Sequence, residues 1–82
     1  MSTLEQDRLL ERITINPAIV LGKPTVRGMR ITVEQIVSAI AGGVTTEDLL
    51  EDYPELEEDD IRACLLYAAR TLSAERVYRI AQ

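Results

Sequence analysis

Gly22-Lys23-Pro24-Thr25-Val26-Arg27-Gly28-Met29-Arg30-Ile31-Thr32-Val33 is the stretch on which the fold turns. It holds two of the four glycines, one of the three prolines and three of the nine basic residues, and it contains no acid. Thr25-Val26-Arg27 reads as a strand, with Gly28-Met29 turning or bulging it. Gly28 suits a positive φ that a side chain would resist. Pro24 cannot donate to a ladder, so the sheet must be small and close to an edge. Thr32 followed three residues later by Gln35 is a capping box, which starts a helix at Val33.

Upstream, Arg12-Ile13-Thr14-Ile15 alternates as a strand does, and Asn16-Pro17 ends it with turn chemistry. Ile19-Val20-Leu21 is a further apolar run, broken by Gly22-Lys23-Pro24. Residues 1–11 are expected as an N-terminal arm with the option of a short helix, since no strong cap fixes them. Residues 12–80 form a single small domain whose β segment covers 12–31.

Downstream, the spacing of Val33, Ile36, Val37 and Ile40 predicts a helix over about 33–41, stopped by Gly42-Gly43. A second helix is expected over 46–52, opened by Thr45 or Thr46 and closed by Tyr53-Pro54. The longest is expected over 57–72, with Glu57-Glu58-Asp59-Asp60 at its positive end and Ile61, Leu65, Ala68 and Leu72 as its buried stripe. A short helix over about 74–80 follows. The helices over 46–52 and 57–72 have the layout of a helix-turn-helix.

With 82 residues, no Phe, no Trp and one cysteine, the core must be small, aliphatic and without disulfides. Cores of this size supply roughly 3–5 kcal/mol unless reinforced, and oligomerisation is the reinforcement left open. The absence of a signal-like or membrane-spanning apolar run and the single cysteine point to the cytoplasm and to no membrane partner.

Charge is distributed in blocks along a chain of formal net charge -5. Residues 12–33 carry Arg12, Lys23, Arg27 and Arg30 and no acid; residues 34–60 carry ten acids and no base. Residues 61–82 are again basic. That order suits a charge-complementary dimer or a DNA-facing edge; plain solvated faces are the commoner outcome. Four acids at the docking end of the helix over 57–72 oppose insertion into a groove of a polyanion.

The inventory for catalysis is thin. There is no histidine to serve as base or zinc ligand. Cys64 falls inside an apolar helical pattern, as a buried small hydrophobe does. Gly22-Lys23-Pro24 lacks the spacing of a phosphate loop. No cofactor, metal, catalytic residue or small-molecule substrate is therefore expected. Lys23, Arg27 and Arg30 are the candidate contacts to DNA or a protein partner. On an extended segment Arg27 and Arg30 lie on opposite faces unless a bulge at Gly28 reorients one of them.

Asn16-Pro17, Gly22-Lys23-Pro24, Arg27-Gly28-Met29-Arg30-Ile31 with Val33, Gly43-Val44-Thr45, Tyr53-Pro54-Glu55-Leu56, Asp60-Ile61 and Tyr67-Ala68-Ala69 occur in one order. Together, over about residues 12–72, they resemble the domain-of-unknown-function family numbered 433. The resemblance implies a mainly α, homeodomain-like three-helix bundle behind a short N-terminal β hairpin or strand pair. It also implies a VapB-like antitoxin: a non-enzymatic homodimer that binds a PIN-like ribonuclease toxin and, as a further expectation, operator DNA. The alternative is a protein–protein interaction or assembly domain with no nucleic-acid role. The resemblance makes Gly22, Pro24, Gly28, Tyr53, Pro54 and Tyr67 architectural and leaves the arginines as contacts. Met29 stands where the family usually has threonine, and no long toxin-wrapping tail follows the third helix.

Overall fold

The computed structural model describes residues 2–75. It is a mainly α fold with an N-terminal antiparallel strand pair. Helix α1 (Thr3–Leu10) is followed by β1 (Ile13–Thr14), β2 (Thr25–Val26), α2 (Val33–Ala41), α3 (Thr46–Asp52) and α4 (Glu58–Glu75). Residues 2–11 are thus not a bare arm. Ser2 caps α1 by accepting from the Glu5 N–H, Leu9 is buried, and the helix packs along α4. The Arg70 guanidinium ties the two helices by donating to Gln6 Oε1 at 2.6 Å.

β1 pairs with β2 in the register Ile13–Val26 and Thr14–Thr25. The deciding stretch then closes on itself as a tight hairpin. The Val26 N–H donates to the Ile31 carbonyl, the Val33 N–H to the Pro24 carbonyl and the Met29 N–H to the Val26 carbonyl. Thr25 bridges Thr32. Arg27 (φ 46) and Gly28 (φ 75) both take positive φ at the centre of the turn, the pattern of a type I′ hairpin turn. The Gly28 N–H donates to Thr14 Oγ1 at 2.9 Å, so β1 buttresses the turn.

The apolar run before Lys23 is not part of the sheet. Asn16 Oδ1 accepts from the Ala18 N–H and starts a loop. Val20, Leu21 and Gly22 then lie in the left-handed region, at φ 44, 55 and 79. A non-glycine residue there costs roughly 1–2 kcal/mol, and a β-branched one such as Val20 is an outlier. The turn is closed by the Gly22 N–H on the Ile19 carbonyl and the Lys23 N–H on the Val20 carbonyl, while the Leu21 side chain is 95% exposed among the described residues.

Helix α2 begins at the expected capping box. Thr32 Oγ1 accepts from the Gln35 N–H and Gln35 Oε1 from the Thr32 N–H, at 3.0 and 2.9 Å. The Thr45 hydroxyl caps α3 by accepting from the Asp48 N–H. Helix α4 is the centre of the molecule, packing against α1, α2, α3 and β1. The core is Val26, Val33, Ile36, Leu49, Leu56, Ile61 and Cys64, with Met29, Val44, Tyr53 and Tyr67 packed against it.

One expectation for α4 is corrected. Of its expected stripe only Ile61 is fully buried; Ala68 is half-buried, whereas Leu65 and Leu72 are 42% and 71% exposed. Asp60, Ala63 and Cys64 are buried in their place. The reason is that α4 is covered on two flanks, by α2–α3 and by α1, and the face bearing the two leucines is left open. The helix also continues to Glu75, without the break expected between residues 72 and 74. The rest of the short helix expected over 74–80 lies outside the described residues.

Candidate partner-binding surface

The strongest polar feature joins the ends of the chain's charge blocks. Asp60, at the third position of α4, is fully buried. Its Oδ2 accepts from the Glu57 N–H at 2.8 Å, the backward half of a capping box. Arg27 donates from Nε to Oδ1 at 3.0 Å and from Nη2 to Oδ2 at 2.7 Å, a bidentate fork. Arg12 Nη1 donates to Oδ1 at 3.0 Å and to Glu57 Oε1 at 2.7 Å. A further Arg27 Nη2 bond reaches the Glu55 carbonyl at 2.8 Å.

The cluster sets its own protonation. Burial raises the Asp60 pKa, but the bonds from Arg27, the Glu57 N–H and Arg12 outweigh it, and the net shift is downward. Both arginines are pushed above their ordinary value, Arg12 first through its bond to Glu57 and then through Asp60, Arg27 through Asp60. A carboxylate held ionised with both oxygens occupied cannot exchange protons near neutrality, the requirement for general acid–base work. Its role is to pin the hairpin turn to the N-terminus of α4.

This cluster changes the standing of the candidate contacts. Arg27 is spent within the chain, in a pair with an acid of its own α4 rather than with a second subunit. Lys23 pairs with Glu34 at 3.1 Å. Arg30 is exposed and, among the described residues, has no hydrogen-bond or ion-pair partner. Asp60 engages Arg27 and not Arg30, so the two arginines are not equivalent contacts. Nor are the acids opening α4 a free anionic end: Glu57 and Asp60 pair with Arg12, and Asp59 pairs with Arg62 at 3.2 Å. Among the expected architectural residues, Gly22 and Gly28 take positive φ, Tyr53 and Tyr67 are half-buried against the core, and Pro54 is exposed.

Sequence reasoning missed Arg12 and Asp60 as a unit. The signal for Asp60 was its place three residues after Glu57, which identifies the backbone contact. Nothing local identifies two arginines 33 and 48 positions upstream.

Two surfaces are left open among the described residues. On α3 and just beyond, Glu47, Asp48, Glu51, Asp52 and Glu55 are all exposed, and none has a cation among the described residues. Between α2 and α4 runs an open apolar groove of about 410 Å³, floored by Val33, Val37, Tyr67 and Ala68. Among the described residues no group of three or more His, Cys, Asp or Glu is placed to hold a metal ion. None of the helices there is long and apolar enough to cross a membrane.

The family described as "Protein of unknown function (DUF433)" matches residues 13–68, from β1 through most of α4. The chain belongs to this DUF433 family. Its fold is similar to the crystal structure of a DUF433 member protein from Anabaena variabilis ATCC 29413. That similarity has a TM-score of 0.72 and 28% identity, covering 87% of this chain and 71% of the other. An uncharacterized protein, y4eO of Sinorhizobium fredii, is 38% identical over 58 residues, which make up 71% of this chain and 26% of that protein. This DUF433 chain therefore spans about a quarter of that relative's length. The family match contains Arg27 and Asp60, α2, α3 and most of α4.

Proposed function

We propose that this DUF433 domain is a non-enzymatic, antitoxin-type regulator that acts by binding a protein, as a homodimer. The observation that carries this reading is the charge left over after the chain has paired its own. Lys23, Arg27 and Arg12 are bound internally, while the α3 acids are not. A surface of that sign repels nucleic-acid phosphate and suits a cationic protein. A ribonuclease toxin, which must hold RNA phosphates, is a partner of that kind. The family resemblance supplies the PIN-like toxin as the specific candidate.

Operator DNA is the second reading, favoured by one observation: Arg30 is exposed beside the hairpin turn with no acid on it. A titration of DNA binding against salt separates the two, since phosphate contacts lose affinity steeply as salt rises. The main test is capture of the neighbouring gene product from the native host, with growth rescue on co-expression. Capture and rescue are expected. A protein that captures nothing and rescues nothing overturns the antitoxin reading.

A further inference from the structure

We propose that the groove between α2 and α4 is the contact face of a two-fold homodimer, and that the partner's Leu21 occupies it. The inference rests on the homodimer part of the reading above and gives it a surface. Three features of one patch lead to it.

The first is an apolar projection. Leu21 is 95% exposed and is held outward by left-handed backbone at Val20, Leu21 and Gly22. Backbone hydrogen bonds from the Gly22 and Lys23 N–H groups hold the turn, but the Leu21 side chain buries almost nothing among the described residues. The second is an apolar recess that begins three residues further along: Pro24, Val33, Val37, Tyr67, Ala68 and Leu72 line the groove, and Leu72 is itself 71% exposed. The third is the rim. Lys23 and Glu34 lie 3.1 Å apart, with side chains 54% and 72% exposed.

A cation beside an anion is complementary in charge to its own copy. A two-fold rotation sets Lys23 against the partner's Glu34 and Glu34 against the partner's Lys23. The same rotation exchanges the projections, one Leu21 into each groove. Because Leu21, Lys23 and Pro24 are adjacent in the chain, both exchanges fall near the axis and join into one isologous interface. A surface of a single sign would suit an unrelated charged partner; a projection, a recess and a mixed pair together suit a second copy. The contact is mainly apolar between two acidic chains, so added salt screens their repulsion and tightens the dimer.

The test is sedimentation equilibrium of the full chain, wild type beside Leu21→Asn and Leu72→Glu. Both substituted side chains are exposed, and asparagine tolerates the left-handed region, so both variants keep the fold, as checked by circular dichroism. Wild type is expected at twice the chain mass. Each variant is expected to raise the dimer dissociation constant by on the order of 100-fold, one apolar contact being lost at each of two symmetric positions. A wild-type chain that stays monomeric at roughly 0.5 mM overturns the proposal and leaves the groove to a different occupant. A dimer indifferent to both substitutions overturns it equally, by placing the interface elsewhere. A monomer that still captures a toxin overturns the dimer face alone; a dimer that captures none overturns the antitoxin reading alone.

Discussion

Asp60 and its two arginines decide most of what can be said residue by residue. Asp60→Asn removes the charge that both guanidiniums were placed to meet, at an expected cost of about 2–4 kcal/mol. Arg27→Lys keeps a positive charge but loses the fork, and it should lower Tm clearly. Arg30→Ala should leave Tm within about 1 °C. Equal effects at Arg27 and Arg30 in a melting experiment would contradict the placement of either one. The pH dependence follows from the downward shift of Asp60. A depressed carboxylate contributes its full stability above the unfolded pKa, ordinarily 3.8, and loses it as pH falls through the lower folded value. Acid unfolding of wild type should therefore steepen below pH 3.8, and Asp60→Asn should flatten that part of the curve. Cys64 offers an independent check. It is fully buried, and burial, with the nearby Asp60 charge adding to it, pushes its thiol up to about 12. Thiol reagents at pH 8 should leave the native protein unmodified and label one cysteine once it is unfolded.

The elements differ in how much of them could be read from local spacing. The Thr32–Gln35 capping box is complete within four residues, and its bonds form as expected. Thr32→Ala should cost about 1–2 kcal/mol, measurable by urea unfolding, since it removes a cap that is also buried. The hairpin turn was half legible. Gly28 announced a positive φ, but nothing near Arg27 indicated that it would share that conformation. A Cβ at Gly28 meets nothing within 4 Å, so Gly28→Ala should lose only the backbone term, roughly 1–2 kcal/mol. The stripe of α4 misled because period alone ranks Leu65 and Leu72 above Asp60. Which flank of a helix is buried depends on what packs against it, and α1 took the flank that the leucines do not occupy.

For the molecule as a whole, charge is the governing quantity. The basic segment 12–33 and the acids opening α4 cancel inside one chain, which leaves the surface more acidic in effect than its blocks suggest. Association with a cationic partner should then be driven by long-range attraction to α3. Glu47→Lys with Glu51→Lys should slow it roughly ten-fold at low salt, with a smaller difference as salt is raised. Stopped-flow or surface-binding kinetics would show this; an unchanged on-rate would remove α3 from the interface.

Helix positions, the capping box, the turn at Gly28, the aliphatic core and the absence of histidine are written in neighbouring residues, because each depends on contacts a few positions long. The charge pattern of residues 12–60 was visible too, but not its outcome. Whether a basic segment faces a nucleic acid, a second chain or its own helix depends on where the hairpin comes to rest on α4. That position is set by burying Val26 in the core that also holds Ile61 and Cys64, and it brings Arg27 to Asp60 across 33 residues. Likewise only the tertiary structure shows Leu21 exposed and an apolar groove between α2 and α4.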